Sequence, residues 1–371
     1  MKTLYSKLFI PVLAGFFSYY NANAQVTIGS TILPSEGAIL DLKENQPTVN
    51  NTNATKGLML PRVKLTSNAD LFPMFLGDTD YENNTSSKKD SEDKSHTGLT
   101  VYNINLDICE EIYPGVYTWD GNEWILLSEG IFPSETDILV DNRNSAKPEQ
   151  YKIGKFADAG WWMLENLRAD RWPDGTNNGL VFDYPVMETD PTYLEPRFYY
   201  PRGSQSDLGT NPHYGYMYNL MAATKLTRTE IGNTTHLIGI QGICPDGWHL
   251  PTLDEWWELR DAVEANPCQY AHSKIGANTG WNMQSMENNS NGVSRSREQG
   301  GFNGILLGRM SRDQKTGEIS LGYNKQTAFF WVGATNSVLG TQAAALDKNT
   351  YAAARMPHID VYLLSVRCKK D

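Results

Sequence analysis

Apolar residues in this chain fall in short runs separated by Gly, Asn and Pro, a pattern of strands and turns more than of long helices. Val26-Thr27-Ile28, Ala38 to Leu42 (AILDL) and Gly57 to Pro61 (GLMLP) predict short strands in a β-rich module over 25–130. Between Gly77 and His96 the chain turns almost wholly polar, and that composition predicts a disordered loop over 77–96. Apolar patterning resumes with Thr97 to Tyr102. Gly115 to Trp119 and Asn122 to Leu127 flank Asp120-Gly121, which predicts a hairpin closed by a two-residue turn with positive φ at both positions. Residues 128–150 are polar with two prolines, so 131–150 reads as a linker.

A second module, 151–371, follows. Its pattern predicts short strands, many Gly and Asn turns, and two helices. One is Tyr216 to Lys225 (YMYNLMAATK). The other starts at Thr252-Leu253-Asp254-Glu255, a capping box in which the Thr hydroxyl and the Glu carboxylate each satisfy a free backbone N–H. Trp256, Leu259 and Val263 then share one face, and Asn266-Pro267 ends the run.

The first residues change the picture of location. Lys2 and Lys7 precede an apolar run, Leu8 to Phe17, and Ala22-Asn23-Ala24 offers the small-x-small site of a cleaved signal peptide over 1–24. The run is about ten residues, too short for a bilayer span of roughly 20. No Cys follows the cut to carry a lipid. The expectation is an exported protein at the cell surface, outside the cell or in the periplasm, with no direct membrane span.

About 347 residues then remain, more than one core usually holds, so two domains are expected. Losing Lys2 and Lys7 takes the formal net charge from −11 to −13, which repels nucleic acid, so no nucleic-acid partner is expected. Cys109, Cys244, Cys268 and Cys368 would pair in an oxidising compartment, but four cysteines allow three connectivities and spacing does not choose among them.

Four phrases carry a resemblance. Trp161 to Arg168 (WWMLENLR), Tyr214 to Asn219 (YGYMYN), Cys244 to Trp256 (CPDGWHLPTLDEW) and Leu364 to Asp371 (LSVRCKKD) occur in that order. Together with Phe330 to Thr335 (FWVGAT), they resemble the Fibrobacter succinogenes major paralogous domain, an exported family of the C-type-lectin-like superfamily. Lys56 to Arg62, Thr97 to Asn103 and Tyr117 to Trp124 are more loosely similar to a β-rich segment that leads bacterial surface proteins. The resemblance implies an α+β, C-type-lectin-like fold: two helices on small twisted antiparallel sheets, after a smaller β-rich N-terminal module. It also implies a Cys244–Cys368 disulfide, closing a loop of about 124 residues worth roughly 4 to 5 kcal/mol. The alternative is Cys244 with Cys268. The family pairing leaves Cys109 and Cys268 as candidates for free thiols.

Catalytic patterns are missing from the sequence. The six histidines show neither HxH nor HExxH spacing, and His249, inside the CPDGWHLP phrase, reads as a buried structural histidine. There is no Gly-x-Ser-x-Gly, and Gly300-Gly301-Phe302-Asn303-Gly304 lacks the Lys and Ser/Thr of a phosphate loop. The run from Asp78 to Asn84 lacks the glycine of a calcium loop. Calcium-dependent lectins use Glu-Pro-Asn or Gln-Pro-Asp, whereas Glu195-Pro196-Arg197 puts a cation there. Formylglycine-generating relatives need a reactive cysteine pair or a histidine set that this chain does not assemble. The expectations are no catalytic residue, no metal site and no cofactor.

Aromatic display remains. Most of the Tyr-rich 198–218 region is expected to pack the core, and Phe198, Tyr199 and Tyr200 are the candidate ligand-binding residues. The expected function is a non-enzymatic surface binding or adhesion protein for a glycan or protein ligand. A structural subunit docked to envelope or surface-assembly partners is the alternative, and an oxidising enzyme the third.

Overall fold

In the computed structural model the described residues are 26–46, 48, 52–127, 134–231, 239–274, 279–288, 291–333, 342–348, 356–357 and 361–371. The segment read as a signal peptide, 1–24, lies outside them. The chain divides into two compact units, Met1–Pro61 and Arg62–Asp371. In the first, strand Val26–Ile28 pairs in parallel with Leu40–Leu42. Lys43 there bonds Asp41 at 2.8 Å.

The second unit is mixed α+β, with small sheets and few helices. It contains a four-stranded sheet in the spatial order Arg62–Val63, Thr100–Asn103, Gly115–Trp119, Trp124–Leu126. Inward-pointing Val101, Tyr117, Trp119 and Trp124 form its core with Leu65, Leu71 and Tyr81. The predicted hairpin is present, but its loop is four residues, since Trp119 pairs with Trp124. Only Gly121 has positive φ. The Asp120 carboxylate accepts from the N–H groups of Asn122 and Glu123 at 2.7 and 2.9 Å, closing the wider turn.

The predicted disordered loop 77–96 is instead ordered as two helices, Thr79–Glu82 and Lys88–Ser95. The physical reason is a small set of anchors that average composition hides. Tyr81 is fully buried, and its hydroxyl donates to Asp93 at 2.6 Å and accepts from Leu71 N–H at 3.0 Å. Trp119 Nε1 donates to the Asp93 carbonyl at 2.7 Å. Lys89 pairs with Asp70 and Asp93, each at 3.0 Å.

Of residues 131–150, read as a linker, 131–133 lie outside the described residues and 134–150 belong to the second unit. Thr136–Asp141 is the edge strand of a five-stranded sheet, followed by Glu149–Lys155, Trp161–Met163, Lys369–Lys370 and Trp248–His249. A seven-stranded sheet runs Val181–Phe182, Arg197–Tyr199, Met217–Tyr218, Leu364–Ser365, Thr327–Trp331, Gln342–Asp347, Met356–Pro357. Thr327–Trp331 is buried at every position, as a central strand must be. The last residues of the chain join both sheets, because Leu364–Ser365 and Lys369–Lys370 are only a few residues apart.

The capped helix is present as Leu253–Ala265 with its capping box complete, and it buries Leu253, Trp256, Leu259 and Val263. Trp256 packs against Trp162, Phe302 and Phe330. The other predicted helix is shorter. Met217–Tyr218 is strand, and Leu220–Thr224 is helix, because Asn219 caps it by accepting from Ala222 N–H at 3.0 Å. Lys225 ends it in the left-handed conformation.

Cys244 and Cys368 form a disulfide with Cα atoms 5.9 Å apart, linking the segment before the long helix to the last strand. Cys109 and Cys268 are not free thiols. They bond each other with Cα atoms 4.9 Å apart, joining the four-stranded sheet region to the segment after the long helix. Around that bridge Glu111 meets Arg295 at 3.3 Å and His272 at 2.5 Å, Lys274 pairs with Glu110, and Arg295 donates to the Ile108 carbonyl at 3.0 Å. The sequence gives no local signal for this contact, whose cysteines are 159 positions apart.

Candidate functional site

Hydrogen bonds between distant phrases fix one region of the seven-stranded sheet. Leu167 N–H donates to Val366 O, and Tyr216 N–H to Leu167 O, both at 2.9 Å. Asn166 Nδ2 donates to Tyr214 O at 3.0 Å, and Asn166 Oδ1 accepts from Arg367 Nε at 2.8 Å. The fully buried Arg367 guanidinium also donates to the carbonyls of Phe302 and Asn303 and lies over the Phe302 ring at 4.2 Å. A buried cation must be surrounded by acceptors, and here backbone carbonyls supply most of them. Trp331 Nε1 caps the arrangement by donating to Tyr218 O at 2.6 Å.

On this frame the strand Arg197–Tyr199 lies between Val181–Phe182 and Met217–Tyr218, with Phe198 opposite both Phe182 and Tyr218. The register gathers an aromatic cluster. The Phe182 ring lies 4.8 Å from Tyr199 and 4.9 Å from Tyr200, and Tyr184 lies 4.0 Å from Tyr199, centroid to centroid. Tyr200 and Tyr216 are 6.0 Å apart. Both are half-buried and open onto a groove of about 480 Å³. Lys147, Glu149, Arg168, Leu208 and Pro212 also line it.

Charge and hydrogen bonding at the groove are settled by its own residues. Arg168 bonds Glu149 and Glu165, each at 2.7 Å, and sits over the Tyr151 ring at 4.3 Å. Within the groove burial pushes the Tyr216 phenol up to about 12, and behind its lining the Tyr199 phenol is pushed up to about 12, mainly by its hydrogen bond with Tyr184. Both phenols are neutral at physiological pH. The groove therefore offers flat uncharged rings with hydroxyl groups and a charge-paired rim. That surface suits stacking and hydrogen bonding better than acid–base chemistry.

Residues 152–370 match the family model described as the Fibrobacter succinogenes major domain. The chain belongs to that family. Residues 27–141 match a model described as a phage tail like trimerisation region. No curated protein and no solved structure matches the chain.

Within the major domain the three candidate ligand residues separate. Phe198 is only 4% exposed and packs in the core against Tyr216 and Tyr218, so it has no face to offer a ligand. Its place opposite Tyr218 in the middle of a sheet is what buries it. Tyr199 is half-buried under Tyr184, and Tyr200 alone of the three lines the groove. Tyr218 is fully buried and donates to Ala169 O at 2.8 Å. Phe182 and Tyr184 join the cluster without a motif that marks them. Phe182 is 46% exposed, and the parallel pairing of its strand with Arg197–Tyr199 brings both rings in. Their only sequence signal is the placing of two aromatic residues at alternate positions in Val181-Phe182-Asp183-Tyr184.

Other candidate chemistry resolves into structure. Arg197, where calcium-dependent lectins have an amide, is buried and bonds Thr192 at 2.7 Å, Glu195 at 3.2 Å and Asp183 at 3.3 Å. Asp78 caps the helix that follows it and pairs with Lys88 at 2.6 Å. Among the described residues no group of three or more His, Cys, Asp or Glu side chains is placed to hold a metal ion. His249 is buried, with Nδ1 on Asp371 at 2.7 Å and Nε2 on Glu255 at 3.0 Å.

Proposed function

We propose that the chain is a surface protein that self-associates through its trimerisation-like region and presents the major domain as a non-catalytic binding module. In this reading the domain is a C-type-lectin-like scaffold, and its ligand is a glycan or a protein segment bound in the aromatic groove. The observation that carries it is the groove beside Tyr200 and Tyr216, of a size that fits a few sugar rings or a short peptide. Two disulfides fit an oxidising, extracellular setting. Among the described residues no helix is long and apolar enough to cross a membrane.

The test is a glycan array together with pull-down of surface proteins, comparing the native chain with Tyr200→Ala and Tyr216→Ala. Loss of a stacking ring should weaken binding roughly 3- to 30-fold with the fold unchanged. Ligands that bind the native chain and both variants equally well would place recognition elsewhere, and a lasting blank on both screens would remove the binding reading. A structural subunit of a surface assembly is the second reading, supported by exposed apolar side chains in the N-terminal part of the chain.

A further inference from the structure

The four-stranded sheet near the N-terminus has one face too many. Its inner face is closed by Tyr81, Leu71 and the two polar helices. Its outer face is open. Side chains alternate along a strand, so Thr100 and Tyr102, Val116 and Thr118, and Ile125 and Leu127 all point away from the core. The register aligns them into rows. Thr100 is opposite Thr118, which is opposite Ile125, while Tyr102 is opposite Val116, whose carbonyl accepts from Leu127 N–H at 2.9 Å. Tyr102 and Ile125 are each 40% exposed and Leu127 61%.

An antiparallel sheet with one solvated face normally alternates apolar-in and polar-out. Here the two inner strands and the edge strand Trp124–Leu126 break it, since none of their outward positions carries a charge; on the remaining edge strand the exposed Arg62, in register with Tyr102, puts one cation at the border of the face. Beyond Val140 the exposed large apolar side chains among the described residues are Phe182, Met286, Ile319 and Tyr323, and all the others precede it. Exposed apolar surface is thus concentrated in the region that matches the trimerisation model, 27–141. The chain is also strongly acidic, with formal net charge −11, so copies repel except where uncharged surface meets.

We infer that this outer sheet face, centred on Thr118 and Ile125, is where two further copies of the same chain pack to form a trimer. The inference rests on the self-association proposed above and adds the surface that performs it. Packing buries Tyr102, Val116, Ile125 and Leu127 from each copy and leaves the aromatic groove of the major domain outside the contact.

Sedimentation of the full chain over a range of concentrations tests this, alongside Thr118→Arg, Ile125→Glu and, as a control, Ile319→Glu. Both sheet substitutions point to solvent in the single chain, so near-UV circular dichroism should match the native protein. The expected result is a native trimer, a trimeric control, and sheet variants whose dissociation midpoint rises at least roughly 100-fold, because each leaves a buried unpaired charge. If the native chain is a trimer and both sheet variants remain trimers, the face is wrong while self-association stands. If the native chain is a monomer throughout, self-association fails as well. Labelling of Tyr102 in that monomer by a water-soluble tyrosine reagent then distinguishes an open face from one covered by another segment of the chain, and either answer overturns the trimer face.

Discussion

Replacing Glu255 by Gln removes one charge from a cluster that ties the long helix to the end of the chain. The Glu255 carboxylate accepts from Thr252 N–H at 2.8 Å, His249 Nε2 at 3.0 Å and Lys369 Nζ at 2.9 Å. Burial would raise its pKa, but these partners overcome that and hold it at about 2 instead of 4.5. A depressed carboxyl stabilises the fold above its unfolded value and loses that contribution as pH falls toward the folded one. The difference is worth about 3 kcal/mol at pH 7 and about 1 kcal/mol at pH 3. Gln keeps the oxygen that caps the helix but places an NH2 donor where Oε1 meets Lys369 and His249, so Glu255→Gln removes the charge together with that acceptor. Urea unfolding followed by tryptophan fluorescence should show a loss of about 2 to 3 kcal/mol at pH 7 that shrinks to about 1 kcal/mol at pH 3. An equal loss at both pH values would mean that hydrogen-bond geometry, not ionisation, carries the contribution, and the electrostatic argument would be wrong.

His249 should behave with the opposite sign. Its hydrogen bond to Glu255, opposed by burial and helped by Asp371, raises its pKa above 6.5, so its contribution is complete below about 6.5 and fades as pH rises through the folded value. His249→Gln should therefore lower the urea midpoint more at about pH 5.5 than at about pH 9; a constant or reversed difference contradicts this. Replacing Cys244 and Cys368 together by Ser removes a cross-link spanning 124 positions. The loss should be about 5 kcal/mol, read as a lower urea midpoint, and an unchanged midpoint would show that the unfolded chain is not constrained by that bond.

Local signals in the sequence translated well, and contacts between distant segments did not. The capping box at Thr252 and Glu255 and the 115–126 hairpin each depend on residues within one turn, so their patterns can be read directly. The 77–96 segment is different. Its helices hold because Tyr81 and Asp93 reach Trp119 and Leu71, partners from other parts of the chain that no composition average contains. Thr136–Asp141 carries little strand signal because it is an edge strand with Ile138 and Val140 exposed, which weakens the usual inside–outside alternation. At the groove, Tyr200 was legible as part of an aromatic run, whereas Phe182 and Tyr184 depend on a parallel strand pairing that sequence distance conceals.

Hydrogen bonds explain why three short phrases so far apart in sequence belong together, and the Cys244–Cys368 bridge with the His249–Asp371 contact adds the fourth. Asn166 donates to the backbone carbonyl of Tyr214 and accepts from the Arg367 guanidinium, so replacing Asn166 or Arg367 leaves an unpaired donor or acceptor in the core. The Tyr216 and Arg168 side of the groove is pinned by these bonds through Leu167 and Val366. The lining supplied by Gln205–Thr210 is not pinned in this way. Gln205–Thr210 is a short helix with no buried residue, capped only by Ser204, and Leu208 meets the groove from it. Substitutions there cost little core packing while reshaping the cavity. The physics of the domain thus separates lining that the fold fixes from lining that can change, which is what the proposed binding role requires.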